Sequence, residues 1–248
     1  MRGLNLGCGR IQFPVAPDAP YIWHLRKYLN EYCPTAHDFD AEWINADRNQ
    51  IDGVDVQVDL FTYPWILDGD RPARDNSFDV IWASHIIEHI PHRAEYNQYA
   101  DYNLKRAGSV DGWYAFFYEV WRLLKPDGIV HLVCPSAFSA SAVADPSHCR
   151  YILPESFSYF RPNLSDPFDY GIGYAFDAIN NAEVRLVKEA EEKYKEYDDM
   201  YLAYLNAEGE QKKELYAITK QKNQEMIKYM NRHINCIEEL YLAMKPVK

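Results

Sequence analysis

Short apolar runs recur through the first half of the chain: GLNL at 3–6, EWINA at 42–46, VDVQV at 54–58, FDVIWA at 78–83 and GIVHLVC at 128–134. Stretches with apolar positions three and four apart lie between them. The clearest is WYAFFYEVWRLLK at 113–125, which PDG at 126–128 ends in a tight turn. Strands alternating with helices predict an α/β fold with a doubly wound, mostly parallel sheet.

From about Ala190 the pattern changes. Ala190, Tyr194, Tyr197, Tyr201 and Tyr204 follow helical spacing, and so do Met226, Met230, Ile234, Ile237, Tyr241 and Met244, with NAEGE at 206–210 between the two series. These spacings predict two long amphipathic helices forming an antiparallel hairpin. The chain thus divides into a sheet domain over 1–188 and a C-terminal helical extension over 189–248. Residues 151–188 fit either a β-hairpin at the sheet edge or the start of the first tail helix.

Composition narrows the class. The 248 residues are 48% hydrophobic, enough for a substantial core, and contain no apolar run of membrane-spanning length. No signal-peptide pattern opens the sequence, so the expected location is cytoplasmic. Cys8, Cys33, Cys134, Cys149 and Cys236 are widely spaced and form no C-x-x-C pair, which argues against a disulfide framework or a zinc knuckle. The formal charge is −11; residues 1–182 hold 14 Lys and Arg against 24 Asp and Glu, and the remainder 12 against 13. An acidic front domain disfavours nucleic acid as a partner.

Gly7-Cys8-Gly9 follows the first strand-like run. A dinucleotide fingerprint needs a third glycine where Gln12 stands, and Pro14, Pro17 and Pro20 postpone any helix whose N-terminus could hold phosphates. That weighs against a nicotinamide-dependent oxidoreductase. Asp47 ends the second run, where a carboxylate can accept from both ribose hydroxyls, and Asp59 beside Leu60 ends the third, where it can face an adenine edge. A glycine loop followed by two such acids describes a nucleoside pocket without a phosphate site.

The ordered series LNLGCG, WINAD, VDVQVDL, DNSFDVIWASHIIEHI, EVWRLLKPDGIVHLVCPS and DPSHCRYILPESFSYF resembles the motifs of class I S-adenosylmethionine-dependent methyltransferases. The likeness is greatest to short, soluble, type 11-like members and covers roughly 3–160. The resemblance implies a Rossmann-like seven-stranded sheet, its last strand antiparallel, with S-adenosyl-L-methionine over the carboxyl ends of the first strands. It places Gly7, Cys8 and Gly9 beside the methionine part, Asp47 at the ribose, Asp59 and Leu60 at the adenine, and Ala83, Ser84 and His85 around the sulfonium. Asn5, standing where many members have an acidic residue, is counted with the cofactor contacts.

Methyl transfer is an in-line displacement, helped by a general base when the acceptor must lose a proton. His89 in EHI and His148 in DPSH are the catalytic candidates. His85 and His89, four apart, would share a helical face, but no metal is expected there because supporting carboxylates are not clustered nearby. His131 reads as structural, and Cys134 as a packed cysteine rather than a nucleophile. Tyr96, Tyr99, Tyr102, Trp113 and Tyr114 are candidates for a substrate lid. N-P-P-Y and D-P-P-Y are absent after the fourth strand, pointing to a small-molecule or glycan-type acceptor methylated on oxygen or nitrogen. The competing reading is a catalytically inactive binding or scaffolding protein acting through its helical tail. The tail is also expected to join two copies as a homodimer, with no membrane contact.

Overall fold

A computed structural model describes residues 1–9, 12–13, 42–162, 172–179, 183–186, 188–232 and 237–248. The proline-punctuated stretch after Phe13, together with Cys33, Ile234 and Cys236, lies outside the described residues.

The strands in chain order are β1 (Arg2–Leu6), β2 (Glu42–Asp47), β3 (Val56–Gln57), β4 (Thr62–Tyr63), β5 (Phe78–Ser84), β6 (Glu95–Tyr96), β7 (Leu124–Pro135), β8 (Ala175–Ala178), β9 (Glu183–Leu186) and β10 (Ile237–Val247). The main sheet runs β3-β2-β1-β5-β7-β10-β8, and β9 also pairs with β10. β1, β2, β3, β5 and β7 are mutually parallel, whereas β10 runs antiparallel to β7. Seven positions across with an antiparallel last strand is the sheet that the resemblance implied. β4 and β6 form a separate two-stranded ribbon.

The helices are α1 (Tyr102–Val110), α2 (Gly112–Leu123), α3 (Ala140–Ala144), α4 (Lys188–Asn206) and α5 (Gly209–Arg232). Asp101, Asp111 and Ser139 cap the first three, each side chain accepting a backbone N–H of the first turn. α2 buries Trp113, Phe116, Phe117 and Val120 against the sheet, each of the two phenylalanines being worth about 1.5–3 kcal/mol of burial. Glu119 on the same helix is fully buried, yet it accepts from Trp65 N at 2.9 Å and from Arg122 at 2.8 and 2.6 Å. This satisfied ion pair ties α2 to the segment after β4.

The tail departs from its expected form. α4 and α5 make the hairpin, packing mainly on each other. The chain does not stay helical to residue 248, because Ile237, Tyr241 and Met244 belong to β10. Leu240 to Met244 are all buried, flanked by β7 on one side and by β8 and β9 on the other. A strand covered on both faces is a continuous apolar run, and such a run also satisfies helical spacing. The 189–248 extension is therefore a helical hairpin followed by an integral sheet strand. Among the described residues of 151–188, β8 and β9 lie in line along β10 instead of pairing with each other. Among the described residues, no helix is long and apolar enough to cross a membrane.

Candidate functional site

The carboxyl ends of β1, β2 and β5 converge on the glycine loop. Gly7 and Gly9 have φ of 62° and 50°, a region that disfavours other residues. A Cβ on Gly7 would run into the Ile86 side chain, so this glycine is needed for close packing against the segment after β5. Among the described residues, a Cβ on Gly9 would meet nothing within 4 Å. Cys8 between them is buried, its N–H donating to Ala46 O at 3.2 Å, and burial pushes its thiol up to about 11.

Asp47 stands at the end of β2, 7% exposed. It accepts from Gly9 N at 2.9 Å through one oxygen and from Asn49 N at 2.8 Å through the other. The carboxylate thus fixes the loop, and each oxygen retains acceptor capacity for a hydroxyl. Asn5 sits lower. It is 2% exposed, and its amide donates to Asn45 Oδ1 at 3.0 Å, while Asn45 in turn holds both Phe13 N and Phe13 O at 2.8 Å. Asn5 accordingly supports the loop from beneath through Asn45.

The two residues expected at the adenine separate. Asp59 is exposed and caps its own turn, accepting from Phe61 N at 3.2 Å and Thr62 Oγ1 at 3.0 Å, beside a groove lined by Asp55, Val58, Pro64 and Asn97. Leu60 is buried in the core, so it forms no wall of that groove. Ala83 is likewise fully buried, whereas Ser84 is half-buried and His85 exposed.

His85 has a φ of 56°, a left-handed conformation that a non-glycine residue adopts only under constraint. The constraint is visible. Its N–H donates to Val133 O at 2.9 Å, its Nε2 lies 3.2 Å from Glu239 Oε1 of β10, and its Nδ1 lies 3.3 Å from Glu88 Oε1. These two carboxylates, Glu239 foremost, push the imidazole up to about 9. The predicted helical face shared by His85 and His89 has no helix to carry it, since only Ile87–His89 forms a single 3-10 turn.

His89 instead meets His148. Their rings lie 4.6 Å apart between centroids in an edge-to-face arrangement, although 58 residues separate His89 from the Ser147 that anchors it. His89 Nδ1 is 3.3 Å from Ser147 O and 3.2 Å from Ser147 Oγ, and His148 Nδ1 is 3.0 Å from Ala142 O. Glu88 O accepts from Cys149 N at 2.8 Å and Arg150 N at 3.1 Å, clamping the 3-10 turn to the second histidine's loop. Arg150 secures that loop further through Ile90 O, Pro91 O and Asp111, and it stacks on Trp113. Trp113 and Tyr114 pack around Phe160, while Tyr96, Tyr99 and Tyr102 are exposed, so the proposed aromatic lid divides between core and surface.

His131 and Cys134 lie inside the sheet. Both are 2% exposed; burial holds the imidazole down at about 4 and the thiol well above its usual range. A thiol so raised is no nucleophile. Sequence reasoning missed Glu88 as a buried acid and Glu239 altogether. The letters EH after β5 carried a signal for the first; Glu239 lay in a stretch that reads as helix.

No family model matches the chain, and no curated protein matches its sequence. Among solved structures, the chain is similar to a SAM-dependent methyltransferase from Archaeoglobus fulgidus, with 16% identity and a TM-score of 0.46, over 98% of this chain and 85% of that one. It is similar also to phosphoethanolamine N-methyltransferase 2 from Haemonchus contortus, at 14% identity and 0.41, over 98% and 48%. A third similar structure is the cyclase SpnF, at 15% and 0.41, over 98% and 74%. At these levels the likeness is one of broad chain path, and it spans proteins named for different reactions.

Proposed function

We propose that this chain is an S-adenosylmethionine-dependent methyltransferase that transfers a methyl group to oxygen or nitrogen of a small-molecule or glycan-type acceptor. The observation that carries the reading is the Asp47-anchored turn at Gly7–Gly9, with no described residue within 4 Å of a Cβ built on Gly9, at the carboxyl ends of a doubly wound sheet. Those residues fit a nucleoside with no pyrophosphate. The bound cofactor would supply an electrophilic methyl group on sulfur.

The chain's own residues do the rest. Gly9 admits the ligand to the turn, and Asp47 orients a ribose through oxygens already fixed by Gly9 and Asn49. Ile86 links the glycine turn to the 3-10 turn bearing Glu88 and His89, so the cofactor side and the histidine side share one rigid segment. His89 and His148 each have Nδ1 set against a carbonyl, and His148 Nε2 lies 3.8 Å from Asp145 Oδ2; either imidazole can take the proton that the acceptor loses. Calorimetric titration with S-adenosylmethionine, S-adenosylhomocysteine and NAD tests this reading. Binding of the first two and not the third is expected; binding of NAD alone would overturn it.

The hairpin favours a second role. Tyr194, Tyr201, Leu202, Leu205, Tyr216 and Ile218 are between 40% and 55% exposed. Such a surface suits self-association or a scaffolding contact.

A further inference from the structure

Glu88, His89 and His148 each offer a ligand atom, and the three atoms lie within 4.8 Å of one another. Donors about 2.0–2.2 Å from a single zinc ion lie within about 4 Å of each other, so the cluster needs to close by less than about 1 Å to hold one. From this geometry we infer that Glu88, His89 and His148 form a binding site for a divalent transition metal of the zinc class.

Three further observations point the same way. Glu88 is 1% exposed, and its Oε2 has no hydrogen-bond partner; Oε1 faces His85 at 3.3 Å. A buried carboxylate oxygen without a donor is costly, and a cation is what relieves it. Both histidines have Nδ1 set against a carbonyl, Ser147 O for His89 and Ala142 O for His148. That is the outer hydrogen bond by which metal-bound imidazoles are usually oriented, and Asp145 Oδ2, 3.8 Å from His148 Nε2, adds a further carboxylate beside the cluster. The scaffold is also braced, since Glu88 O accepts the N–H groups of Cys149 and Arg150 and so joins the two ligand-bearing loops directly.

Two imidazoles and one carboxylate fill three positions and leave others open, as in metal sites that act on a ligand rather than hold a fold together. An acceptor oxygen or nitrogen on the open position would be polarised and would lose its proton more readily. In that case Nε2 of His89 and His148 is on the metal and takes no proton itself. This use of the ion rests on the methyl-transfer reading; the binding of the ion does not.

The test is a titration of the full chain, stripped with chelator, using Zn²⁺ followed calorimetrically and Co²⁺ followed by its visible absorption. One equivalent of each ion should bind. His89→Ala and His148→Ala should weaken binding beyond the 10–100-fold typical of outer-sphere changes, roughly speaking, and Ser147→Ala within it. His92→Ala removes an exposed histidine held by Asp111 and should leave binding unchanged. Glu88→Gln keeps the shape of the buried side chain and should also lose the ion, with circular dichroism confirming the fold. Absence of stoichiometric binding, or full binding in both His89→Ala and His148→Ala, would overturn the site. Titration of the same preparations with S-adenosylmethionine reports separately on the methyl-transfer reading.

Discussion

The sheet and the helical hairpin are built on opposite principles. β1, β5, β7 and β10 are enclosed on both faces, with Leu4, Leu6, Val80, Ile81, Val130 and Leu242 at 4% exposure or less. Along α4 and α5, by contrast, large side chains stay in water, and the ion pairs are exposed ones such as Lys213–Glu210 and Lys222–Glu196. Exposed pairs of this kind are worth about 0–1 kcal/mol. Gly7, Gly9, Asp47 and His85 sit at strand ends of the sheet, and His89 and His148 are clamped to it through loops, whereas the hairpin packs mainly on itself.

The sharpest way to break this contrast is to place the same charge in both regions. Met244, 1% exposed and paired across to Val130 and Ala178, should not accept Met244→Asp: an uncompensated buried charge costs about 3–5 kcal/mol or more, a large part of a domain's stability. Leu205→Asp on the hairpin should shift stability by less than about 0.5 kcal/mol. Urea unfolding of both variants measures the difference, and equal losses would erase the distinction.

Next in size is Glu119→Ala, which leaves the Trp65 N–H without its acceptor and Arg122 with Asp75 and Ala73 O alone, and should cost about 3 kcal/mol in the same measurement. His131 gives a pH signature of about 3 kcal/mol, from an ordinary imidazole near 6.5 held at about 4 by burial. Its folded pKa is lowered, so the unfolded chain binds the proton first. Stability is therefore full above about 6.5 and declines as pH falls toward 4; His131→Leu should flatten the unfolding profile across that window.

Asp47→Ala touches the site itself. It should weaken S-adenosylmethionine binding by about 1.5–3 kcal/mol per bond lost, read by calorimetry, with Gly9 and Asn49 also losing their acceptor. The smallest expected effect lies in the hairpin, where replacing Tyr194, Tyr201 and Tyr216 by Ser should leave the melting temperature nearly unchanged. Light scattering on the same variant tests the proposed self-association, which a mass unchanged from that of the parent chain would rule out for these tyrosines.

β1, β2, β5, β7 and α2 could be read from the sequence to within a few residues, because each carries an apolar run bounded by turn residues. β10 could not: Leu240 to Met244 have no polar face to reveal a period of two. Gly7, Gly9 and Asp47 were legible because position at a strand end is itself a sequence property. That Asn5 and Leu60 are buried was not legible, because register decides which face such a residue presents, and register is settled by neighbours such as Asn45. The meeting of His89 with His148 depends on backbone clamps through Glu88 O, which no side-chain letter announces.

β8 and β9 end at Leu186, while their partner β10 begins at Ile237, after the whole of α4 and α5. During synthesis the outer edge of β7 must therefore wait, its hydrogen-bonding groups unpaired, until the hairpin has emerged and the returning strand can slide in. Exposed edges of this kind are where nascent chains pair with the wrong neighbour. The hairpin's abundance of charge acquires a purpose in that interval: helices that form from local contacts alone can fold early and bring the ends of their segment near each other, shortening the search that β10 has to make.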